Sequence, residues 1–266
     1  MYPIDSRLSR KYWEKEIKGL TAWLLHRVKE ANAQGLILGV SGGVDSAVVA
    51  GLVKIAFSDT SLGLILPCDS SPEEVRDAHL VCDTVGIRKL VIDLADPRLY
   101  LLERVQKGLA ELSPGMEQVP VGRLTDANLR ARLRMCTLYA VANALNYLVV
   151  GTDNAAEAYT GYFTKYGDGG VDLLPLARYV KREVRELAQE LGIPASIIQK
   201  APSAGLWSGQ TDEAELGVTY EEIDAYLEGK SVREKTRDRI EFLHRSSEHK
   251  RKVPPVYPRE DDKELF

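Results

Sequence analysis

The run Gly35-Leu-Ile-Leu-Gly-Val40, followed at once by Ser41-Gly-Gly-Val-Asp-Ser46, limits what this chain can fold into more than any other stretch. Six successive residues without a polar side chain suit a short strand covered on both faces. The paired glycines let backbone N–H groups turn toward one point. The apolar segment from Val44 to about Phe57 then reads as a helix whose N-terminus opens at the same place. Strand, glycine turn and helix start together make a cradle for phosphate, with Ser41 and Ser46 as hydroxyl donors. The loop is not a Walker A sequence, because no Gly-Lys-Ser/Thr follows, and it is not the GxGxxG dinucleotide fingerprint. Asp45 is the odd residue. A carboxylate among phosphates is unfavourable unless a cation such as Mg²⁺ lies between them. The plainer alternative is a tight turn in which Asp45 complements the helix dipole.

The rest of the chain repeats the strand–helix alternation. Trp13, Ile17, Leu20, Leu24 and Val28 form a helical stripe within 10–32. Strands are expected at 35–40, 61–67, 89–94 and 147–150, with helices at 72–85, 97–112, 125–146, 181–191, 220–227 and 232–250. Pro72 suits a first helical turn. Two prolines and a glycine make 113–121 a loop, and 200–219 reads as a mobile loop beside the site. Alternating strands and helices imply an α/β fold: one doubly wound domain over 1–266, with a mostly parallel central sheet flanked by helices.

Composition removes several function classes. Apolar residues make 44% of the 266 and the net charge is −4, so neither general disorder nor duplex binding by bulk charge fits. Cys68, Cys82 and Cys136 form no CxxC and no disulfide framework, and Cys68 reads as a small buried residue. The opening Met-Tyr-Pro-Ile-Asp turns quickly charged and does not read as a signal peptide, and the apolar runs are too short to span a membrane. A cytoplasmic protein is expected.

Ser41-Gly-Gly-Val-Asp-Ser46 resembles the signature loop of the ATP pyrophosphatases that release AMP and pyrophosphate, among them GMP, asparagine and NAD synthetases and tRNA-thiolating enzymes. Further strings resemble the ammonia-dependent NAD synthetases in particular. They are Asn128-Leu-Arg-Ala-Arg-Leu-Arg-Met135, Gly151-Thr-Asp-Asn-Ala-Ala-Glu157, Gly161-Tyr-Phe-Thr-Lys-Tyr-Gly-Asp-Gly-Gly-Val-Asp172 and His249-Lys250. The similarity runs from about Tyr12 to Lys252. It implies an adenine nucleotide alpha hydrolase-like fold and a ligase that joins ammonia to deamido-NAD (nicotinic acid adenine dinucleotide). In the implied reaction the pyridine carboxylate attacks the α-phosphorus of ATP, pyrophosphate leaves, and ammonia displaces AMP from the acyl adenylate. Positioning and charge stabilisation dominate such chemistry, so no Ser/His/Asp or Cys/His set is expected.

The resemblance also implies roles. Asp45 and Glu157 are Mg²⁺ ligands, and with Lys181 they form the catalytic set. Gly39, Ser41, Gly42, Gly43, Asp45, Ser46, Thr152, Lys181 and Ser203 hold ATP, the co-substrate. Arg132, Tyr162, Lys165, Asp168, Asp172, His249 and Lys250 hold deamido-NAD, with Tyr162 as the ring stacker. Each has a plainer alternative: a surface acid for Glu157, a helix cap for Thr152, a solvated first-turn lysine for Lys181, and a basic tail for His249-Lys250. Gly167, Gly169 and Gly170 would supply the awkward dihedrals of an aromatic-anchored turn. On a helix Arg130 and Arg134 share a face opposite Arg132, so the three cannot serve one ligand; Arg130 and Arg134 are assigned to surface ion pairs. Residues 205–213 are expected to act as a lid. A homodimer is implied, with part of 125–146 available as its interface or as core. Free ammonia is the implied donor, and a separate glutaminase partner stays open. A tRNA thiolase lacks support without a cysteine pair and a basic surface, and a non-catalytic nucleotide sensor would not need two metal carboxylates and a second nucleotide motif.

Overall fold

In the computed structural model, residues 10–112, 121–202 and 211–257 are described. Strand β1 (Gly35–Gly39) is paired on both sides and almost wholly buried, as its unbroken apolar sequence requires. Strands β2 (Ser61–Ile65), β3 (Arg88–Val91) and β4 (Tyr147–Val149) complete an all-parallel sheet in the order β3-β2-β1-β4. In register, Ile37 lies opposite Leu62 and Val149. The first pairing needs Gly35, where a Cβ would sit 2.0 Å from the Thr60 carbonyl oxygen.

Successive β1 side chains feed two cores. Leu36 and Leu38 pack with α1 (Arg10–Glu30), α2 (Val44–Ala56), α3 (Pro72–Val85) and the later α7 (Lys181–Glu190). Ile37 packs with Leu64, Val149 and Ala142 of α5 (Arg123–Leu145) on the other face. Helix α2 is apolar nearly all round and has nine buried residues, so it lies inside rather than across the surface. Helix α4 (Ala95–Leu112) has none. The chain thus winds outward from β1 to β3 and returns through α4 and α5 to β4. The order reverses between β1 and β4, where a crevice is left at the strand ends.

Three short helices were absent from the sequence expectation: α6 (Ala155–Thr160), α8 (Ala195–Ile198) and α9 (Asp212–Leu216), the last inside the expected 200–219 loop. Helix α10 (Tyr220–Leu227) matches expectation. The expected 232–250 helix divides into α11 (Glu234–Ser246) and α12 (Glu248–Arg251) at Ser247. The Ser247 hydroxyl donates to the carbonyls of Leu243 (2.6 Å) and Thr160 (3.0 Å), so the break seats α12 against the start of the glycine-rich loop. A third apolar cluster, around Tyr220, Ile223 and Ile240, packs α6, α10 and α11 together beside the crevice. Among the described residues no helix is long and apolar enough to cross a membrane.

Candidate functional site

The crevice holds a cavity of about 450 Å³, walled by the Ser41–Ser46 turn, the ends of β2 and β4, helix α5 and the glycine-rich loop. Its most organised feature is the phosphate-type turn. Gly42 has φ +83, and a Cβ there would meet Asp77 and the α3 backbone at 2.7–3.0 Å, so only glycine fits. Ser41 and Ser46 hold each other at 3.2 Å, and Ser46 also donates to the Gly43 carbonyl at 2.9 Å. Gly43 gives the N-terminus of α2 no side-chain cap. Free N–H groups and the dipole therefore face the cavity, which is the arrangement an anion needs.

Beneath the turn, β1 and β4 bring two acids to one cation. The Lys181 ammonium, only 2% exposed as a residue, donates to Asp45 at 2.5 Å and lies 3.5 Å from Glu157. It also lies 4.7 Å from the centre of the Tyr220 ring. Burial opposes its charge, but Asp45 and Glu157 outweigh this and hold it well above the ordinary lysine value. Burial likewise lifts the Glu157 carboxyl, to about 7, with Lys181 pulling down and Asp45 pushing up. Asn154 completes the cluster: its amide donates to Asp45 at 2.9 Å, while its carbonyl caps α6 at Ala156 and Glu157. Tyr220 donates to Glu157 and to Asp212, both at 3.0 Å. Asp224 accepts from the backbone N–H of Lys181 and Arg182, fixing the start of α7 from outside it.

Gly39, Ser41, Gly43, Asp45, Ser46, Thr152, Glu157 and Lys181 all line the cavity, with Gly42 packed behind the turn. Ser203 and most of the expected 205–213 lid lie outside the described residues. The seven residues expected on the dinucleotide divide. Tyr162, Asp168 and Lys250 line the cavity, whereas Arg132, Lys165, Asp172 and His249 do not. Tyr162 donates to Asp212 and Glu215. Lys250 donates to the Gly161 and Phe163 carbonyls at 2.8 and 2.7 Å. Asp172 works on the scaffold: it accepts from the Val149 N–H at 2.7 Å and from Tyr139 at 2.8 Å, fastening the glycine-rich loop to β4. Arg132, Lys165 and His249 form a chain on the outside, with Arg132 donating to the Lys165 carbonyl (3.3 Å) and Lys165 to the His249 carbonyl (2.6 Å).

Two expectations change. Gly167, Gly169 and Gly170 do not supply left-handed dihedrals; that falls to Tyr166, at φ +59. Those glycines are needed because side chains press on them, Phe163 lying 2.4 Å from where a Gly169 Cβ would be. Arg130 and Arg134 do share a face opposite the exposed Arg132, but they are not surface groups. Arg130 is buried, pairing with Asp126 at 2.8 Å and Asp69 at 3.0 Å. Arg134 lines the cavity and donates to the Leu66 carbonyl and the Ser70 hydroxyl. Arg134, Asn154, Asp212 and Tyr220 were missed. Asn154 carried a legible signal, since Asn154-Ala-Ala-Glu157 is a capping box. Cys68 is buried, as expected, and all three cysteines are free.

An uncapped helix start over two acids and a buried lysine, at the switch point of a parallel sheet, makes this an α/β protein with a crevice suited to an anion. The NAD synthase family pattern matches residues 16–254. The NH(3)-dependent NAD(+) synthetase of Alkaliphilus oremlandii is 54% identical, over 91% of this chain and 96% of its own. An NMN synthetase structure from Francisella tularensis superposes with TM-score 0.85 at 40% identity, covering 94% of this chain and 99% of that one. An NAD+ synthetase structure from Burkholderia pseudomallei gives 0.74 at 30%, covering 94% and 93%. The chain belongs to the NAD synthase family and is, with it, a ligase.

The Glu157 carboxyl generates a prediction. Its folded value of about 7 lies above the ordinary 4.5, so between these values the folded protein keeps a proton that the unfolded chain has released. Stability from this group is fully present at and below pH 4.5 and is lost as pH rises to about 7. The melting temperature of ligand-free protein should fall between pH 5 and 7.5, and Glu157→Gln should make the fall shallower, by up to about 1.4 kcal/mol per pH unit. Parallel profiles for the two proteins would contradict the assignment.

Proposed function

We propose that this ligase amidates deamido-NAD with ammonia at the expense of ATP, through an acyl adenylate, giving NAD, AMP and pyrophosphate. The observation that carries the reading is the convergence of Asp45, Glu157 and Lys181 beneath the open Ser41–Ser46 turn. Two carboxylates that already share one cation suit Mg²⁺, which is commonly held by one or two carboxylates plus substrate phosphates. When bound, the ion neutralises phosphate charge. Gly39, Ser41, Gly42, Gly43 and Ser46 shape the turn that takes the leaving pyrophosphate. Lys181, already among the acids, is placed to reach phosphate oxygens. Thr152 lines the same wall, and Ser203 is assigned to ATP by resemblance alone.

The acceptor is placed with its reactive end beside Tyr162, Asp168 and Lys250. The outer chain Arg132–Lys165–His249 then takes the distant, anionic half of the dinucleotide. The 40% identity to an NMN synthetase supports a second reading, in which nicotinic acid mononucleotide is the acceptor and the outer chain goes unused. The protein is proposed to be cytoplasmic and a homodimer. Helix α4 supports the dimer: it buries no residue, and Leu99 (54%), Tyr100 (62%), Val105 (47%) and Leu112 (69%) are exposed along it.

Purified protein with ATP, Mg²⁺ and either acceptor, supplied with ammonium or glutamine, should form amidated product and AMP in equal amounts with ammonium only. Deamido-NAD should be the better acceptor, and Arg132→Ala should raise its KM about tenfold or more. ADP in place of AMP, or preference for the mononucleotide with no effect of Arg132→Ala, would overturn the respective part. The paired change Leu99→Asp and Val105→Asp should convert a dimer to a monomer by light scattering; an unchanged mass would place the interface elsewhere.

A further inference from the structure

Asp153 is a cavity acid that none of the roles above uses. It lies just past β4, between Thr152 and Asn154, lines the cavity and is 6% exposed. No donor among the described residues reaches its carboxylate. The charged groups that bear on it most are the carboxylates of Asp168, Glu157 and Asp45, all cavity residues and all repulsive. The cations of the same cavity are committed elsewhere. Lys181 is held by Asp45 and Glu157, Lys250 by the carbonyls of Gly161 and Phe163, Lys200 by Asp77, and Arg134 by Leu66 and Ser70. A buried carboxylate with neither donor nor counterion is costly, and such groups persist where a ligand supplies what is missing.

We infer that Asp153 is the ammonium-binding group of this ligase, holding the nitrogen donor in the cavity wall as NH₄⁺. The inference rests on the amidation reading above and names where its nitrogen substrate waits. Ammonium brings the two things the ionised form of Asp153 lacks, a positive charge and N–H donors, to a carboxylate that can only accept. The divalent ion of the proposed reaction is assigned to Asp45 and Glu157, which leaves Asp153 for a monovalent partner. The position also fits, since Asp153 follows the same strand end as Thr152 and shares the cavity wall with Glu157, so the donor is kept beside the place where the acyl group is activated. The low exposure of Asp153 favours a small cation over an amine bearing a large substituent.

Steady-state kinetics on Asp153→Asn tests this, with ammonium varied at constant ionic strength and ATP, Mg²⁺ and acceptor saturating. Loss of a charge-assisted hydrogen bond should raise the KM for ammonium about 10- to 100-fold. The KM values for ATP and acceptor, and the ammonia-independent exchange of labelled pyrophosphate into ATP, should stay within about twofold. Potassium, a cation of similar size, should compete with ammonium in the wild type and less in the variant. Thermal melts of Asp153→Asn and Asp153→Ser establish that the chains fold; removing an unpaired buried charge should leave the melting temperature at or above that of the wild type. An unchanged ammonium KM in a folded variant overturns the inference. So does a loss of pyrophosphate exchange with altered Mg²⁺ dependence, which would put Asp153 on the metal–nucleotide side. A wild type that shows no acceptor-dependent exchange would defeat the amidation reading itself, a separate result.

Discussion

The buried ammonium of Lys181 is the interaction on which the rest of the site depends. It draws together Asp45 from the start of α2 and Glu157 from α6, two segments 112 residues apart that only the β1–β4 pairing brings side by side. Two carboxylates buried at one point repel strongly unless a cation divides them, and removing such a cation leaves charges that cannot be solvated. The sheet order makes the meeting possible, and the lysine makes it stable. Asn154 then takes the remaining oxygen of each acid, by its side-chain amide on Asp45 and its backbone N–H on Glu157, and Tyr220 donates to the Glu157 oxygen that faces Lys181, so the acids are aimed before any nucleotide arrives. That preorganisation is the kind of contribution a phosphoryl-displacement reaction can use, since little covalent work falls to the protein.

The secondary elements carry this arrangement with little slack. Gly42 is forced by α3 at its back, and Gly161 is forced by Ser247, which would lie 2.2 Å from an added Cβ. Asp172 clamps the glycine-rich loop to the last strand, and Ser247 turns the C-terminal helices so that Lys250 reaches that loop. The cavity wall therefore draws on segments from one end of the chain to the other. A change in the third apolar cluster, around Tyr220 and Ile240, would be felt at Glu157 through a single hydroxyl.

Much of this was legible in the residues themselves. The unbroken apolar run of β1 and the Ser41–Ser46 turn pointed to the parallel sheet and the phosphate cradle, because few other folds bury such a strand beside such a turn. Helix α3 was readable at its start from Pro72, and the structure ends it at the left-handed Gly86. The short helices were not, because a one- or two-turn helix shows too little of the 3.6-residue period to stand out. The burial of Arg130 and Arg134 was hidden for another reason. Spacing tells which side chains share a helix face, but not which face meets the protein interior. Tyr220 and Asp212 join the site through tertiary packing alone. Asp172 is a different case: a residue in a family string also has scaffold contacts, to Tyr139 and Val149, that the string does not reveal.

A structure of the protein with Mg²⁺ and a non-hydrolysable ATP analogue tests the central claim most directly. The account predicts phosphate oxygens on the backbone of Ser41–Ser46, a metal ion touching both Asp45 and Glu157, and the Lys181 ammonium turned to a phosphate oxygen. A nucleotide bound with Asp45 and Glu157 still sharing Lys181, and no metal between them and the phosphates, would contradict it.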